Sequence, residues 1–142
     1  MGKFITQLRV EQVSEATSMK PAIWRLTEPL IYESSKLGLI IVDRGIETDF
    51  ASIPRIPIAY LIAGGRNNAA ATLHDNLYGT HNTGRDFPVT RLQSDNLIFE
   101  ATLDSFPSEG YSLKSIIMRP AAYFLGGVQW AFVRCFGWAF WK

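Results

Sequence analysis

Cysteine is the scarcest reactive residue in this sequence, with Cys135 as the single copy among 142 residues. One thiol cannot form a disulfide within the chain, and it excludes a zinc site built from several cysteines. The lack of internal disulfides fits a reducing compartment, or a particle assembled in one. A folded globule is still expected, because 47% of the residues are apolar.

Strong net charge and several familiar motifs are also missing. The formal net charge is +1 and no run of five or six like charges occurs, so we expect no specific binding of nucleic acid. The sequence contains neither a glycine-rich phosphate loop nor a G-x-S-x-G nucleophile motif. The first ten residues lack the apolar core of a secretory signal peptide, so export by that route is not expected.

Strand-like segments come first and helix-like segments follow, which predicts an α+β fold in a single domain over residues 1–142. Residues 1–20 are expected to form an N-terminal arm. Residues 21–55 are predicted to be mainly β, with "LIYES" and "LGLIIVD" flanking a turn in a small antiparallel hairpin or sheet. Residues 67–142 are predicted to be mainly α, in two or three packed helices.

Capping residues place the helix termini. The first helix is predicted to begin after Asn67 and to end at Gly79, because glycine favours the left-handed conformation that closes many helices. The second is predicted to begin at Thr90, which can form a capping box with Gln93 three residues later. A third helical run starts near Ser112 and extends towards the C-terminus.

The second helix carries a carboxylate on its predicted apolar face. Steps of three and four place Asp95 on the seam that should face the core. A buried carboxylate needs a cation or hydrogen-bond donors, because an unpaired charge is costly to bury. The apolar residues of the same seam are Leu92, Phe99, Leu103 and Phe106.

The preceding helix offers two donors for this carboxylate. His74 and Tyr78 are four residues apart and therefore share one helix face. If the two helices pack together, Asp95 would orient the imidazole of His74 and raise the basicity of its other nitrogen. His74 is then a candidate general base that takes a proton from water, and Tyr78 a second donor to Asp95. The same three residues could equally form a buried polar network that only fixes the helix register.

Three motifs together resemble a family of phage and prophage proteins of unknown function, the domain of unknown function 1353. They are "TDFASIPR" at residues 48–55, "HDNLY" at 74–78, and the Arg-x-x-x-Asp helix start formed by Arg91 and Asp95. The motifs occur in the order typical of that family, over about residues 30–140. The resemblance implies a phage-encoded protein and brings no established reaction.

A second, local similarity concerns the two helices alone. "HDxxY" followed by a helical aspartate resembles the catalytic helices of secreted and parvoviral phospholipases A. The resemblance implies that His74 activates water, that Asp75 binds calcium, and that Asp95 orients His74 with help from Tyr78. The sequence departs from those enzymes because it lacks their cross-linking disulfides and a clear equivalent of their glycine-rich calcium loop.

A divalent cation such as calcium would need oxygen ligands besides Asp75. The segment from Thr48 to Arg55 offers some, with Asp49 as the candidate carboxylate and Ser52 as a hydroxyl. The same segment also fits a plain turn in which Asp49 and Ser52 bind backbone amides.

The C-terminal segment, residues 120–142, contains three of the four tryptophans. Gln129 and Arg134 interrupt its apolar run, and a membrane span needs about 20 apolar residues, so a buried helix is the main expectation. The alternative is a docking surface for a partner or a peripheral membrane contact, because tryptophan favours such borders.

Two functions remain open at this point. The first is a small phage hydrolase, of esterase or phospholipase type and with or without the assistance of a metal, that acts at the cell envelope through the His-Asp dyad. The second is a non-catalytic virion or accessory protein, in which the dyad is structural and the C-terminal helix docks onto a phage structural protein or a host envelope component. Either function places the chain in the host cytoplasm or in the virion.

Overall fold

Within the part of the chain that the structure describes, six short strands form two three-stranded antiparallel sheets and three α-helices follow them, which confirms the predicted α+β fold. The computed structural model describes residues 2–50, 67–106 and 113–141. Ser52 and Arg55 of the first motif lie outside the described residues. The strands are β1 (Lys3–Phe4), β2 (Val10–Ser14), β3 (Ile23–Leu26), β4 (Leu30–Ser34), β5 (Gly38–Val42) and β6 (Glu47–Thr48).

The first sheet has the order β1-β4-β5 and contains the predicted hairpin. In that hairpin Ile31 of β4 lies opposite Ile41 of β5. Alternate side chains of the two strands are fully buried, as expected for a sheet with one face on the core. The buried residues of this face are Leu30, Tyr32, Ile40 and Val42.

The N-terminal arm, residues 1–20, contributes one strand to each sheet. β1 pairs with β4 and places Phe4 opposite Tyr32. β2 pairs with β3 in the second sheet, whose order is β2-β3-β6. Local sequence does not reveal these strands because one has only two residues and the other, "VEQVS", is largely exposed and polar.

The helices are α1 (Asn68–Thr80), α2 (Arg91–Asp104) and α3 (Leu113–Phe136), and a short 3-10 helix, Gly137–Ala139, follows α3. α2 packs between α1 and α3. Two side-chain contacts tie α2 to the first sheet. The Tyr32 hydroxyl donates to Asp104 Oδ2 at 2.6 Å, and the Ser34 hydroxyl donates to Glu100 Oε2 at 2.8 Å.

The end of α1 differs from the prediction. Gly79 lies inside the helix, and His81 takes the left-handed conformation at its C-cap, with φ of 54°. At the other end, Asn67 makes no side-chain cap hydrogen bond; its Oδ1 accepts instead from the buried hydroxyl of Thr102 in α2, at 2.9 Å. A tertiary contact has therefore replaced the local cap that the sequence suggested.

The capping box at the start of α2 is present as predicted. The Thr90 hydroxyl accepts from the backbone N–H of Gln93 at 3.3 Å, and the Gln93 side chain accepts from the backbone N–H of Thr90 at 2.8 Å.

Substituting Thr90 by alanine removes one half of this box. We expect Thr90→Ala to lower the free energy of unfolding by about 1 kcal/mol, because an N-terminal amide of α2 loses its acceptor. Urea denaturation measures the change. Ser18→Ala, at an exposed position between β2 and β3, is the matched control and should change stability by less than about 0.5 kcal/mol. Equal stability of the two variants would contradict the assigned cap.

The predicted apolar seam of α2 was wrong in part. Leu92 is half exposed, and Phe99 and Leu103 are only partly buried, whereas Asp95 is fully buried. The buried face combines two large apolar residues with small and polar ones. Its buried residues are Ser94, Asp95, Leu97, Ile98, Ala101 and Thr102.

Among the described residues, none of the helices has the length and apolar character needed to cross a membrane.

Candidate functional site

Asp95 lies at the point where the three helices meet. Its side chain has no solvent-exposed surface, and donors from α1, α2 and α3 surround it. The Tyr78 hydroxyl donates to Oδ1, and Arg134 Nη1 donates to Oδ2 at 2.8 Å. Arg91 Nε lies 3.6 Å from Oδ2, one helical turn before Asp95. The buried carboxylate is therefore paired with cations and hydrogen-bonded, as its burial requires.

His74 lies between two carboxylates. Its Nε2 is 3.5 Å from Asp95 Oδ1, and its Nδ1 is 3.8 Å from Asp75 Oδ1. The imidazole ring packs against the Tyr78 ring with the centroids 4.2 Å apart. Only 2% of His74 is exposed. The structure thus brings together the three residues that the sequence proposed as a catalytic set, in a largely sealed position.

Arg134 is the member of this site that sequence reasoning did not assign. It comes from α3, and its backbone carbonyl also accepts from Arg91 Nη2 at 3.0 Å. The signal available in the sequence was a lone arginine inside an aromatic run. Gln129, the other polar interruption of that run, is also buried and contacts the Thr102 hydroxyl at 2.8 Å. Gln129 therefore marks the buried face of α3, whereas the side chain of Arg134 is 34% exposed and reaches Asp95 with its guanidinium.

Asp75 is placed differently from its neighbour. Its side chain is 31% exposed, and its Oδ2 accepts from the Thr48 hydroxyl at 3.3 Å. The same hydroxyl accepts from the backbone N–H of Phe50 at 3.2 Å, and Phe50 has a positive φ of 55°. The "TDF" part of the first motif therefore turns sharply beside Asp75. Asp75 of the "HDNLY" motif therefore contacts this turn through the hydroxyl of Thr48.

A cavity of about 320 Å³ opens on the exposed side of Asp75. It lies between β6 and α1, within the size range of small-molecule sites. His74 lines neither this cavity nor a larger one, of about 490 Å³, that lies between the β4–β5 turn, α2 and α3. The smaller cavity is lined by Ile46, Glu47, Thr48, Thr72, Asp75, Asn76, Gly79 and Thr80.

The described residues do not assemble a calcium cage. Asp75 and Thr48 bring two oxygen-bearing side chains together, whereas calcium takes six to eight oxygen ligands. Asp49 follows Thr48 directly and is partly buried. Across residues 2–50, 67–106 and 113–141, no group of three or more His, Cys, Asp or Glu side chains could hold a metal ion.

The pKa values of the buried pair shift in opposite directions. Burial by itself would lower the pKa of His74, but the hydrogen bonds and negative charges of Asp75 and Asp95 outweigh it, so the pKa is raised. Burial by itself would raise the pKa of Asp95, but hydrogen bonds from His74, Tyr78 and Arg134 outweigh it, so that pKa is lowered. Burial and the Asp95 carboxylate also raise the pKa of Tyr78, which keeps its hydroxyl protonated as a donor.

The raised pKa of His74 makes stability depend on pH. A histidine whose pKa is higher in the folded state stabilises the fold fully below its unfolded value, about 6.5, and this contribution is lost as pH rises through the folded pKa. We expect the urea midpoint of the wild-type chain to fall as pH rises above about 6.5. Asp95→Asn removes one of the two negative charges and should flatten this dependence. A flat wild-type profile would contradict the shift.

The C-terminal end covers Tyr78. Trp141 packs edge-on against Tyr78, with ring centroids 5.0 Å apart, and stacks on His81 at 4.0 Å. Gly137 is buried, and a Cβ at this position would collide with the Tyr78 hydroxyl. Trp141 therefore contacts both His81 and Tyr78 near the end of α1.

The comparison with known families agrees with the motifs at this site. The family model described as "Protein of unknown function (DUF1353)" matches residues 24–111, which is more than half of the chain. The chain belongs to the DUF1353 family. In this DUF1353 protein the matched residues include Thr48, His74 and Asp95, whereas Arg134 lies beyond the matched segment. No curated protein and no solved structure shows significant similarity to the chain.

Proposed function

We propose that this protein is a small hydrolase in which His74 is the general base and Asp95 orients it. The observation that carries the proposal is the position of the imidazole: Nε2 lies 3.5 Å from a fully buried aspartate, and Nδ1 points to the carboxylate that borders a cavity. A buried aspartate on one nitrogen fixes the tautomer and leaves the other nitrogen as the base.

The proposed reaction is the hydrolysis of an ester. A water molecule beside Nδ1 gives its proton to His74 while its oxygen bonds to the ester carbonyl carbon. The tetrahedral intermediate then breaks its C–O bond to the alcohol, and the imidazolium returns the proton to the departing alkoxide. Asp95 stays ionised throughout, because Arg134 and Tyr78 bind its negative charge. The raised pKa of His74 keeps the base protonated at low pH, so activity requires pH above that value.

A divalent cation and a phage origin belong to the proposal as separate parts. Calcium, if bound at Asp75, would polarise the ester carbonyl, but the described side chains supply too few oxygens for us to assign it a step. The phage origin, and action on an ester of the cell envelope, are supported by the resemblance of the three motifs to phage and prophage proteins.

The experiment is a hydrolysis assay on the purified full chain. Acyl esters of short and long chains and phospholipid vesicles serve as substrates, with and without added calcium chloride. We expect ester cleavage by the wild-type chain and its loss in His74→Gln. No cleavage above the His74→Gln background on any of these substrates would overturn the proposal. Equal rates of hydrolysis with and without a chelator would show that calcium has no part in the reaction.

A non-catalytic role is the second candidate, and one observation favours it. His74 is only 2% exposed, and the donors around Asp95 come from all three helices, so the network clamps the helical part of the fold. In this case the protein would be a virion or accessory component, and the clamp would only stabilise the surface presented to a partner. An inactive wild-type chain whose stability depends strongly on Asp95 would support this alternative.

A further inference from the structure

α3 carries a continuous row of exposed apolar side chains, which we call the outer face. Each of its members lies three, four or seven residues from another member, and these separations are close to whole turns of the helix, so they form one stripe. Each is between 39% and 75% exposed. The outer face consists of Leu113, Ile116, Ile117, Tyr123, Phe124 and Trp130.

The opposite face of α3 is already used. Ala122, Leu125 and Val133 are buried, and Gln129 on the same face reaches Thr102 of α2. Two members of the outer face also contact α2: the Trp130 Nε1–H donates to Asn96 Oδ1 at 2.9 Å, and Tyr123 packs edge-on against Phe99. The other members, Leu113, Ile116, Ile117 and Phe124, are 59% to 75% exposed. Monomeric proteins rarely expose a contiguous apolar surface of this extent, and such a surface usually marks a contact site.

The charge of this part of the chain indicates what the contact is. Residues 113–142 contain Lys114, Arg119, Arg134 and Lys142 and no aspartate or glutamate, so their net charge is +4. Because the whole chain carries +1, the remaining residues carry −3. The guanidinium of Arg134 is bound to Asp95. Arg119 is exposed and lies about one helical turn after Ile116 of the outer face. An apolar stripe with an exposed cation beside it, in a segment of net positive charge, complements a surface that is apolar inside and anionic outside.

We propose that the outer face of α3 docks the protein onto the surface of an anionic lipid bilayer. Tyr123 and Trp130 suit the boundary between the headgroups and the acyl chains, where aromatic side chains with a polar atom concentrate. A second copy of the chain fits less well, because packing two outer faces together would bring together two segments that each have a net charge of +4. The proposal does not depend on the hydrolase activity.

The test is co-sedimentation of the full chain with vesicles. One set contains phosphatidylcholine alone, and the other contains phosphatidylcholine with about one-third phosphatidylglycerol. We expect binding to the anionic vesicles and much weaker binding to the neutral ones. The double variant Ile117→Ser/Phe124→Ser should bind at least about tenfold more weakly, because two apolar side chains no longer enter the bilayer. Ile5→Ser, at an apolar residue of similar exposure outside α3, should bind like the wild type.

Charge is tested separately by Arg119→Gln. This variant should weaken binding to anionic vesicles about fivefold and leave binding to neutral vesicles unchanged. Both sets of variants change exposed residues, and circular dichroism checks that each is folded. Wild-type chain that stays in the supernatant would overturn the proposal. If the wild-type chain formed a stable dimer and the Ile117→Ser/Phe124→Ser variant were monomeric, the outer face would bind a second copy of the chain, and the proposal would be overturned. Vesicle binding that neither variant reduces would also overturn it.

Discussion

Asp95→Ala is expected to lower the free energy of unfolding by about 3–5 kcal/mol, the range for breaking a buried ion pair by removing one partner. The sequence alone indicated a smaller loss, of about 1–3 kcal/mol, from unpaired donors on His74 or Tyr78. Arg134 raises the expected loss because it points at the same carboxylate at 2.8 Å. Without Asp95, its guanidinium and the Tyr78 hydroxyl lose the acceptor they share.

Urea denaturation near pH 6 measures this effect. Glu15→Ala, which removes an exposed carboxylate between β2 and β3, is the control and should stay within about 0.5 kcal/mol of the wild type. Asp95→Asn keeps the shape and one acceptor oxygen but not the charge, so its stability should fall between those of the wild type and Asp95→Ala. A loss below about 1 kcal/mol for Asp95→Ala would show that the three helices do not depend on the network.

His74→Gln is expected to lower the rate of ester hydrolysis by about 10²–10⁴-fold, the range for loss of a general base. Glutamine retains polar atoms near Asp95 but cannot take a proton from water at neutral pH. The wild-type rate should rise with pH through the pKa of His74 and then level off. Asp95→Asn should move this rise to lower pH, because the imidazole loses a carboxylate that favours its charged form.

His81→Asn is the matched control for that substitution. His81 has a left-handed backbone, which asparagine tolerates better than most residues, and it contacts Trp141 rather than Asp95. The His81→Asn variant should hydrolyse esters at the wild-type rate and with the wild-type dependence on pH. A His74→Gln variant that is folded and as active as His81→Asn would refute the assignment of the base.

Local patterns predicted those features that depend on near neighbours in the chain. The β4–β5 hairpin follows from two apolar runs around a turn, and the α2 capping box follows from Thr90 and Gln93. The contact between His74 and Asp95 follows from a carboxylate on the predicted apolar face of α2 and a hydrogen-bond donor on the preceding helix. In each case the partners are close in sequence or belong to consecutive elements.

Features that depend on distant parts of the chain could not be predicted this way. Arg134 reaches Asp95 from 39 residues away, and no spacing rule fixes which residues of α2 and α3 face each other, although these helices are consecutive. Similarly, β1 is too short to show a pattern and exists because β4 offers an edge. The C-cap of α1 is His81 rather than Gly79, and Trp141, from the far end of the described chain, stacks on it.

The most direct test of the central claim is the protonation state of the His74 imidazole, measured by ¹⁵N NMR across pH 5 to 9 in wild-type chain and in Asp95→Asn. We expect the pKa of the wild-type His74 imidazole to lie above about 6.5. In the neutral form, the proton should lie on Nε2, facing Asp95, and Nδ1 should carry none. Asp95→Asn should lower that pKa. A neutral form protonated on Nδ1, or an imidazole that does not titrate in this range, would contradict the claim that His74 is a base held by Asp95.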